Sequence, residues 1–299
     1  MAHSHSHRKT TSNVNKAFII GILLNLVYVL VEFVVGYISN SMSLLSDAGH
    51  NLSDVFTLVL SLIAFRLAKV KNNDKLTYGY RKASILTALF NSVLLVIVVL
   101  VIGYQAIIRF FNPVEVNSIS VIIMASIGIV INALSAFLFF REKNIDLNIK
   151  SAYLHLIADA LVSLGVVVGG VIIYFTDLFW IDSVVSIIIA IIILYSTWEL
   201  LKDSLMMALD AVPENVDIEK VTETILQTGN VQSLHHLHIW ALSTTENALT
   251  VHIILKNTLD LNNSFELKEK LKHKLQELNI SHATIEFETE TDNCKDINK

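Results

Sequence analysis

Six long apolar segments in the first two thirds of the chain limit its possible folds most strongly. A helix needs about 20 mainly apolar residues to cross the roughly 30 Å of hydrocarbon in a bilayer. The segments span residues 17–38, 42–68, 83–110, 117–140, 150–175 and 179–201. The first is too long for the core of a signal peptide, so we interpret it as a retained anchor. The sequence therefore predicts an α-helical membrane protein with a six-helix bundle.

Basic residues are divided unequally between the two ends of these segments. The connections after the first, third and fifth segments are short and nearly free of basic residues. The other side carries Arg8, Lys9, Lys16, Arg66, Lys69, Lys71, Lys75, Arg81, Lys82, Arg141, Lys143 and Lys150. Because loops rich in Lys and Arg stay in the cytoplasm, both termini are predicted to be cytoplasmic. We expect a multi-pass protein of the plasma membrane.

The last third of the chain has the composition of a soluble domain. Only 16% of all residues are charged, against about 25% in soluble proteins, but residues 202–299 are rich in Lys, Glu and Asp. Periodicity after Pro213 predicts helix, two strands, helix and strand, with the second helix capped by Asn263 or Ser264. This α-β-β-α-β order predicts a small α+β domain with its helices on one face of the sheet.

Four regions follow from these patterns. We predict a flexible, histidine-containing N-terminus (1–15), a six-span transmembrane domain (16–202), a cytoplasmic α+β domain (203–288) and a disordered tail (289–299).

Several classes of function are disfavoured. The net charge of −5 provides no basic surface for nucleic acid. The single cysteine, Cys294, excludes an internal disulfide framework and a thiolate cluster. An intramembrane metal-dependent hydrolase would need an open metal position and a base, and the chain has no HExxH motif. We therefore predict a protein that is not an enzyme and has no organic cofactor.

Two His-x-x-x-Asp pairs, His50/Asp54 and His155/Asp159, lie inside the second and fifth apolar segments. Residues four apart share a helix face. The predicted topology places the first pair roughly 12–18 Å below the outer surface and the second roughly 8–14 Å above the inner one. These depths overlap in a layer of about 30 Å, and the two helices run antiparallel. Two imidazoles and two carboxylates would thus converge on a site suited to tetrahedral Zn²⁺.

Other interpretations of the buried polar residues remain open. Each pair could instead form a hydrogen-bonded contact between helices. Asp47 shares the face of His50 and could be an exit-side ligand or a helix cap. Four further polar residues could line a hydrophilic path or bond a neighbouring helix: Asn25, Glu32, Asn132 and Asp182.

Histidines outside the apolar segments indicate further metal binding. His3, His5 and His7 lie near the N-terminus and could collect metal or have no role. In the C-terminal domain, strand alternation would place His236 and His238 on one face and His235 on the other. His252, His282, Glu286 and Glu288 lie on or beside the other strands. A second His/carboxylate site is therefore predicted, although histidines are also common on ordinary surfaces.

The stretches LLSDAGHNLSD, YGYRK and HHLHIW, with the six apolar segments and the α+β tail, resemble the zinc-efflux members of the cation diffusion facilitator family. The resemblance implies that His50, Asp54, His155 and Asp159 bind the transported ion. It also implies a homodimer in which metal bound by the tail influences the transport cycle. The tail ligands that it implies are His235, His252, His282 and Glu288.

Zinc export in exchange for protons is the function that these observations favour. The four membrane ligands would load cytosolic Zn²⁺, and protonation on the other side would release it. Zn²⁺ would be the substrate and also a regulatory or structural ligand of the tail. The expected partners are divalent metal ions, protons, the lipid bilayer and a second copy of the chain. A zinc channel or uniporter, and a membrane-anchored metal sensor, are the alternatives.

Overall fold

The computed structural model describes residues 26–68, 70–139 and 147–289, without the side chains of 57, 58, 61, 62, 64, 65, 68, 138, 139 and 147–152 within the helices. The predicted flexible N-terminus, the first part of the first span and residues 290–299 of the predicted tail lie outside these residues. The chain divides into two compact units. One unit comprises the chain up to Val59 and Val93–Trp198, and the other comprises Leu60–Ser92 and the chain from Glu199 onwards.

In the described part of the first 208 residues, six helices account for most of the chain. They are α1 (Leu26–Ile38), α2 (Met42–Ala68), α3 (Ala83–Phe111), α4 (Ser118–Phe139), α5 (Leu147–Thr176) and α6 (Trp180–Ala208). Among the residues that the structure describes, α3 to α6 are long and apolar enough to cross a membrane. The helix α2 has 27 residues but carries several polar side chains, and α1 is a shorter apolar helix in the described part of the chain.

The first unit has an apolar core that also contains polar residues. Leu44, Val121 and Val166 are almost fully buried, and so are Glu32 and Asp47. Large apolar side chains such as those of Phe175 and Tyr195 point outward and are 78% and 83% exposed. This distribution is the reverse of that in a soluble domain and suits helices surrounded by lipid, in which buried polar groups pair inside the bundle.

The turn between α1 and α2 fixes the close approach of these two helices. Asn40 adopts a left-handed conformation with φ of 56°, which Asn tolerates better than most residues. A Cβ atom at Gly36 would lie 3.1 Å from the Cβ of Leu44. A larger residue at position 36 would therefore push apart the two helices that carry Glu32 and Asp47.

The C-terminal domain contains α7 (Ile218–Leu226), β1 (Val231–Ala241), β2 (Asn247–Leu255), α8 (Leu261–Glu277) and β3 (Ile280–Glu288). Its sheet has the order β1-β2-β3, with β1 antiparallel and β3 parallel to β2. The predicted α-β-β-α-β order is confirmed. A parallel pair needs a crossover, and α8 provides it.

Apolar helix faces cover the sheet of this domain. Val221 and Ile225 of α7 and Leu271 and Leu275 of α8 are buried in one core with Leu249 of β2.

The predicted caps of α8 were wrong. Asp260 is the N-cap, and its side chain accepts a hydrogen bond from the Asn263 backbone N–H at 2.8 Å. The helix begins at Leu261, three residues before the start that an Asn263 cap would give, because Asp is also a strong capping residue.

Candidate metal centres

The structure brings the two His-x-x-x-Asp pairs together within the first unit. His50 Nε2 lies 3.3 Å from Asp159 Oδ1, and His155 Nε2 lies 3.2 Å from Asp54 Oδ2. Within each helix the corresponding distances are longer, 3.8 Å on α2 and 3.6 Å on α5. Each histidine therefore faces the aspartate of the other helix, as expected for antiparallel helices that meet at one depth.

The spacing of these four side chains suits a tetrahedral metal ion. One ligand atom from each residue lies within 4.8 Å of all the others. A tetrahedron with metal–ligand distances of about 2.0–2.1 Å has edges of about 3.3–3.4 Å. The four His–Asp distances above range from 3.2 to 3.8 Å. Small side-chain adjustments would therefore be enough to close this N₂O₂ group around an ion.

Exposure of the four side chains falls from one end of the site to the other. The side chains of His155 and Asp54 are 49% and 29% exposed, while those of His50 and Asp159 are 15% and 7% exposed. Asp54 lies further along α2 than His50, and His155 lies earlier on α5 than Asp159. The site is thus open toward the end where α2 finishes and α5 starts.

Asp47 lies one turn before His50 but is not in the four-residue group. Its Oδ2 accepts a hydrogen bond from Ser163 Oγ of α5 at 3.0 Å, so its observed contact joins α2 to α5. Glu32 of α1 accepts hydrogen bonds from Tyr28 and Asn51. These two carboxyl groups form a second polar cluster beside the four-residue group. Asn132 is buried, and Asn25 lies outside the described residues.

Asp182 fixes the start of the helix that carries His50 and Asp54. It lies in the first turn of α6 and accepts hydrogen bonds from the hydroxyl groups of Ser41 and Ser43 at 2.6 and 2.5 Å. The Met42 backbone N–H also donates to it, at 2.5 Å. Asp182 therefore satisfies donors that the first turn of α2 leaves without intrahelical partners. The sequence singled out Asp182, but only the structure identifies Ser41 and Ser43 as its partners.

A second group of possible ligands lies in the C-terminal domain. His235 of β1 pairs with His252 of β2 across the antiparallel ladder. Glu288 of β3 is 9% exposed; its Oε2 lies 3.2 Å from His235 Nε2 and its Oε1 2.5 Å from His252 Nδ1. These three residues could hold a metal ion between them.

His282 is not in this three-residue group. Its ring packs edge-on against Tyr78 at a centroid distance of 5.6 Å. Glu286 lies nearer, with Oε2 3.6 Å from His252 Nε2. Sequence spacing alone did not distinguish these two residues of β3. His3, His5 and His7 lie outside the described residues.

A β-bulge alters the predicted alternation of the β1 histidines. The pairing of β1 with β2 shifts between His235 and His238, and His236 has a φ of 49°. The rings of both His235 and His236 consequently lie about 5 Å from that of His252, at 5.3 and 5.2 Å. The prediction that His235 points away from His236 was therefore too simple, because it assumed an unbroken strand.

Comparison with known proteins identifies the family to which the chain is similar. The family model described as the cation efflux transmembrane domain matches residues 18–207, and the one described as the cation efflux protein cytoplasmic domain matches residues 213–290. A "Cadmium, cobalt and zinc/H(+)-K(+) antiporter" of Bacillus subtilis (strain 168) is 38% identical over 97% of this chain and 93% of its own length.

Other relatives carry similar descriptions. The "Metal cation efflux system protein CzcD" of Cupriavidus metallidurans is 37% identical over 96% of this chain and 90% of its own. "Zinc transporter ZitB" of Escherichia coli (strain K12) is 31% identical over 96% and 93%. A solved structure, "Metal-bound C-terminal domain of the CzcD transporter from Cuprividus metallidurans", is 40% identical and covers 24% of this chain and 99% of that one, with a TM-score of 0.23. The chain is a multi-pass membrane protein and a transporter rather than an enzyme, and it belongs to the cation efflux (cation diffusion facilitator) family.

Proposed function

We propose that this transporter exports Zn²⁺ from the cytoplasm in exchange for protons, through His50, Asp54, His155 and Asp159. The observation that carries the proposal is the reciprocal arrangement of the four side chains, in which each histidine of one helix faces the aspartate of the other at 3.2–3.3 Å. Two imidazole nitrogens and two carboxylate oxygens are a ligand set that Zn²⁺ accepts and that Mg²⁺ and Ca²⁺ disfavour.

Exchange for protons follows from the chemistry of these ligands. A metal ion binds neutral imidazole and ionised carboxylate, so protons and metal compete for the same atoms. An imidazole with an ordinary pKa near 6.5 changes charge within the physiological pH range. Once the helix bundle has opened the site to the outer side, protonation of the ligands from that side would therefore expel the ion.

The exposure gradient supports loading from the cytoplasm. With both termini in the cytoplasm, α2 ends and α5 starts on the inner side, where the more exposed Asp54 and His155 lie. The site is consequently accessible from the side that holds the exported ion. We assign the described conformation to the inward-facing state of a plasma-membrane protein.

The C-terminal domain would bind a second zinc ion and hold two copies of the chain together. His235, His252 and Glu288 provide three ligands, with His236 and Glu286 beside them. The description of the matching family model as a cytoplasmic domain agrees with this location. Metal bound there would stabilise one arrangement of the dimer. It would bias the transport cycle to the extent that the domain binds metal more tightly in one state of the transporter than in the other.

Zinc flux into vesicles that contain purified protein tests the proposal. The wild type should accumulate Zn²⁺ when a proton gradient is imposed, and Asp159→Asn should not, because an amide provides no anionic oxygen. Asp177→Asn is the matched control, since Asp177 is an exposed residue in the turn between α5 and α6.

Three outcomes would contradict parts of the proposal. Equal uptake by the wild type and Asp159→Asn would refute the site. Uptake that depends on Asp159 but not on the proton gradient would indicate a zinc channel or uniporter. If Asp159→Asn still transported zinc, at a rate that changed with the metal bound in the C-terminal domain, the membrane ligands would be dispensable.

A further inference from the structure

Beside the metal ligands lies a pair of buried carboxyl groups that the four-ligand site does not use. Glu32 of α1 and Asp47 of α2 are both 0% exposed. Tyr28 donates to Glu32 Oε1 at 2.8 Å, and Asn51 Nδ2 donates to Glu32 Oε2 at 3.3 Å. Ser163 donates to Asp47 Oδ2 at 3.0 Å.

One carboxylate oxygen of the pair lacks a hydrogen-bond partner in the described part of the chain. Asp47 Oδ1 is buried and finds no hydrogen-bond partner among the residues that the structure describes. The donors to the two carboxyl groups lie close together, because a Cβ atom at Gly128 would approach both the Tyr28 hydroxyl and Ser163 Oγ, and Asn51, which donates to Glu32, lies one turn after Asp47 on α2. Two ionised carboxylates can only accept hydrogen bonds, so Glu32 can become the partner of Asp47 Oδ1 only when one of the two carries a proton.

Among the described residues, the titratable groups whose charges act on the pair are Tyr28 on α1, His50 on α2 and Asp159 on α5, and none of them is a Lys or Arg that would compensate its charge. Ionising a single carboxyl group in an apolar interior is already costly, and two carboxylates that share a site do not both ionise near neutral pH. One proton on the pair removes this cost and gives Asp47 Oδ1 the partner that it lacks.

The helix α4 is shaped to accept the cluster. A Cβ atom at Gly128 would lie 2.2 Å from the Tyr28 hydroxyl and 3.2 Å from Ser163 Oγ. The missing side chain therefore leaves the space in which Tyr28 reaches Glu32. Contributions from α1, α2, α4 and α5 converge on one buried point.

We propose that Glu32 and Asp47 share one proton and form a proton-binding site distinct from the four metal ligands. This role in transport rests on the zinc–proton exchange proposed above. Asp47 lies on the same face of α2 as His50, three residues before it, and Asn51, the residue after His50, donates to Glu32 of α1. A divalent ion at the four ligands repels the shared proton. When the site is empty, the negative charges of its two aspartates favour binding of that proton. Zinc loading would thus release this proton in addition to any that leave the ligands.

The protonated carboxyl group can be detected without any transport measurement. The carbonyl stretch of a carboxylic acid is separated from carboxylate bands in infrared difference spectra of the zinc-free full-length protein at neutral pH. We expect this band in the wild type and its loss in the double variant Glu32→Gln/Asp47→Asn. Each single variant should shift the band and keep it, because the remaining buried carboxyl group holds the proton more firmly without a second carboxyl group beside it. Tyr28→Phe removes a hydrogen bond but no carboxyl group, so it should shift the band and keep it.

Matched controls separate a local effect from a fold defect. Glu115→Gln makes the same chemical change at an exposed position outside the cluster and should leave the band unchanged. Glu32→Gln and Asp47→Asn should each bind as much zinc per chain as the wild type, since neither residue is a metal ligand. Proton release on zinc binding, followed with a pH dye in weak buffer, should fall by up to about one proton per zinc in each variant.

The outcomes for the two proposals can be told apart. A wild type without the band, a band that neither single variant shifts, or a band that survives in the double variant overturns the shared proton whatever the transport result. Unchanged proton release in both variants overturns its role in exchange. A band that behaves as expected, in a protein whose zinc flux ignores the proton gradient, sustains the pair and refutes the exchange.

Discussion

Removal of the charge on Asp182 should destabilise the first unit more than its place outside the metal site suggests. Its carboxylate accepts from two serine hydroxyls and the Met42 N–H at 2.5–2.6 Å, and the Ser43 N–H lies 3.3 Å from Oδ1. The side chain is also buried between the N-termini of α6 and α2. Both helix dipoles favour a negative charge there.

The cost of Asp182→Asn can be worked from these contacts. A hydrogen bond to a charged group contributes about 1.5–3 kcal/mol, and one between neutral groups about 0.5–1.5 kcal/mol. The Asn amide keeps one acceptor oxygen, so the hydrogen bonds to that oxygen are weakened. Its N–H₂ group faces donors, so the hydrogen bonds to the other carboxylate oxygen are lost. Loss of the favourable charge at two helix N-termini adds about 0.3–1 kcal/mol for each. We expect a loss of about 2–4 kcal/mol in the free energy of unfolding.

Denaturant unfolding of the full chain in detergent micelles, followed by tryptophan fluorescence, measures this loss. Asp177→Asn lies five residues earlier and is exposed with φ of 54°, which Asn also adopts, so it should change stability little. Zinc affinity of Asp182→Asn should fall as well, because the start of α2 positions His50 and Asp54. A stability within about 0.5 kcal/mol of the Asp177→Asn control would refute the capping role.

Three further changes test other contacts. Gly128→Ala should reduce zinc transport, because its Cβ would lie 2.2 Å from the Tyr28 hydroxyl. Adding Tyr28→Phe, which removes that hydroxyl, should restore part of the zinc flux. A double variant with no restored flux would show that the clash lies elsewhere. Glu288→Gln should lower zinc bound per chain by about one ion in equilibrium dialysis, whereas Glu277→Gln, whose carboxylate lies 3.6 Å from an exposed histidine, should bind as the wild type does. Asp217→Ala removes the N-cap that accepts from two backbone N–H groups of α7 and should cost about 1 kcal/mol of unfolding free energy, whereas Asp217→Asn should be close to neutral.

The sequence predicts those parts of the site that depend on one helix at a time. The spacing of His50 and Asp54 places both side chains on one helix face. The lengths of the apolar segments and the charges of the loops give the depth of each pair in the membrane, so the meeting with His155 and Asp159 of an antiparallel helix can be predicted. The bulge at His236 could not be foreseen in the same way. It depends on how β1 pairs with β2, and a run of histidines does not signal an extra residue.

Polar residues whose role depends on a partner far along the chain were the hardest to interpret. Asp182 and Glu32 both looked like residues of a path or of a helix contact. Their roles separate only when the donors are known. Asp182 faces backbone N–H groups and hydroxyls, all of which donate, so its charge is satisfied. Glu32 accepts from Tyr28 and Asn51, but Asp47 beside it keeps one oxygen without a partner in the described part of the chain.

This difference bears on how the transporter could couple its two ions. If only one of the two imidazoles exchanged a proton for zinc, the charge of the buried region would change by one unit, the difference between a divalent ion and one proton. A carboxyl pair one turn away, buried from solvent, offers a further proton whose release is favoured by the arriving positive charge. The total charge that crosses the bilayer interior with each conformational change would then stay closer to constant, and large changes of buried charge are what a low-dielectric interior penalises most. The position of Glu32 and Asp47 next to the metal ligands is thus where such compensation would be most effective.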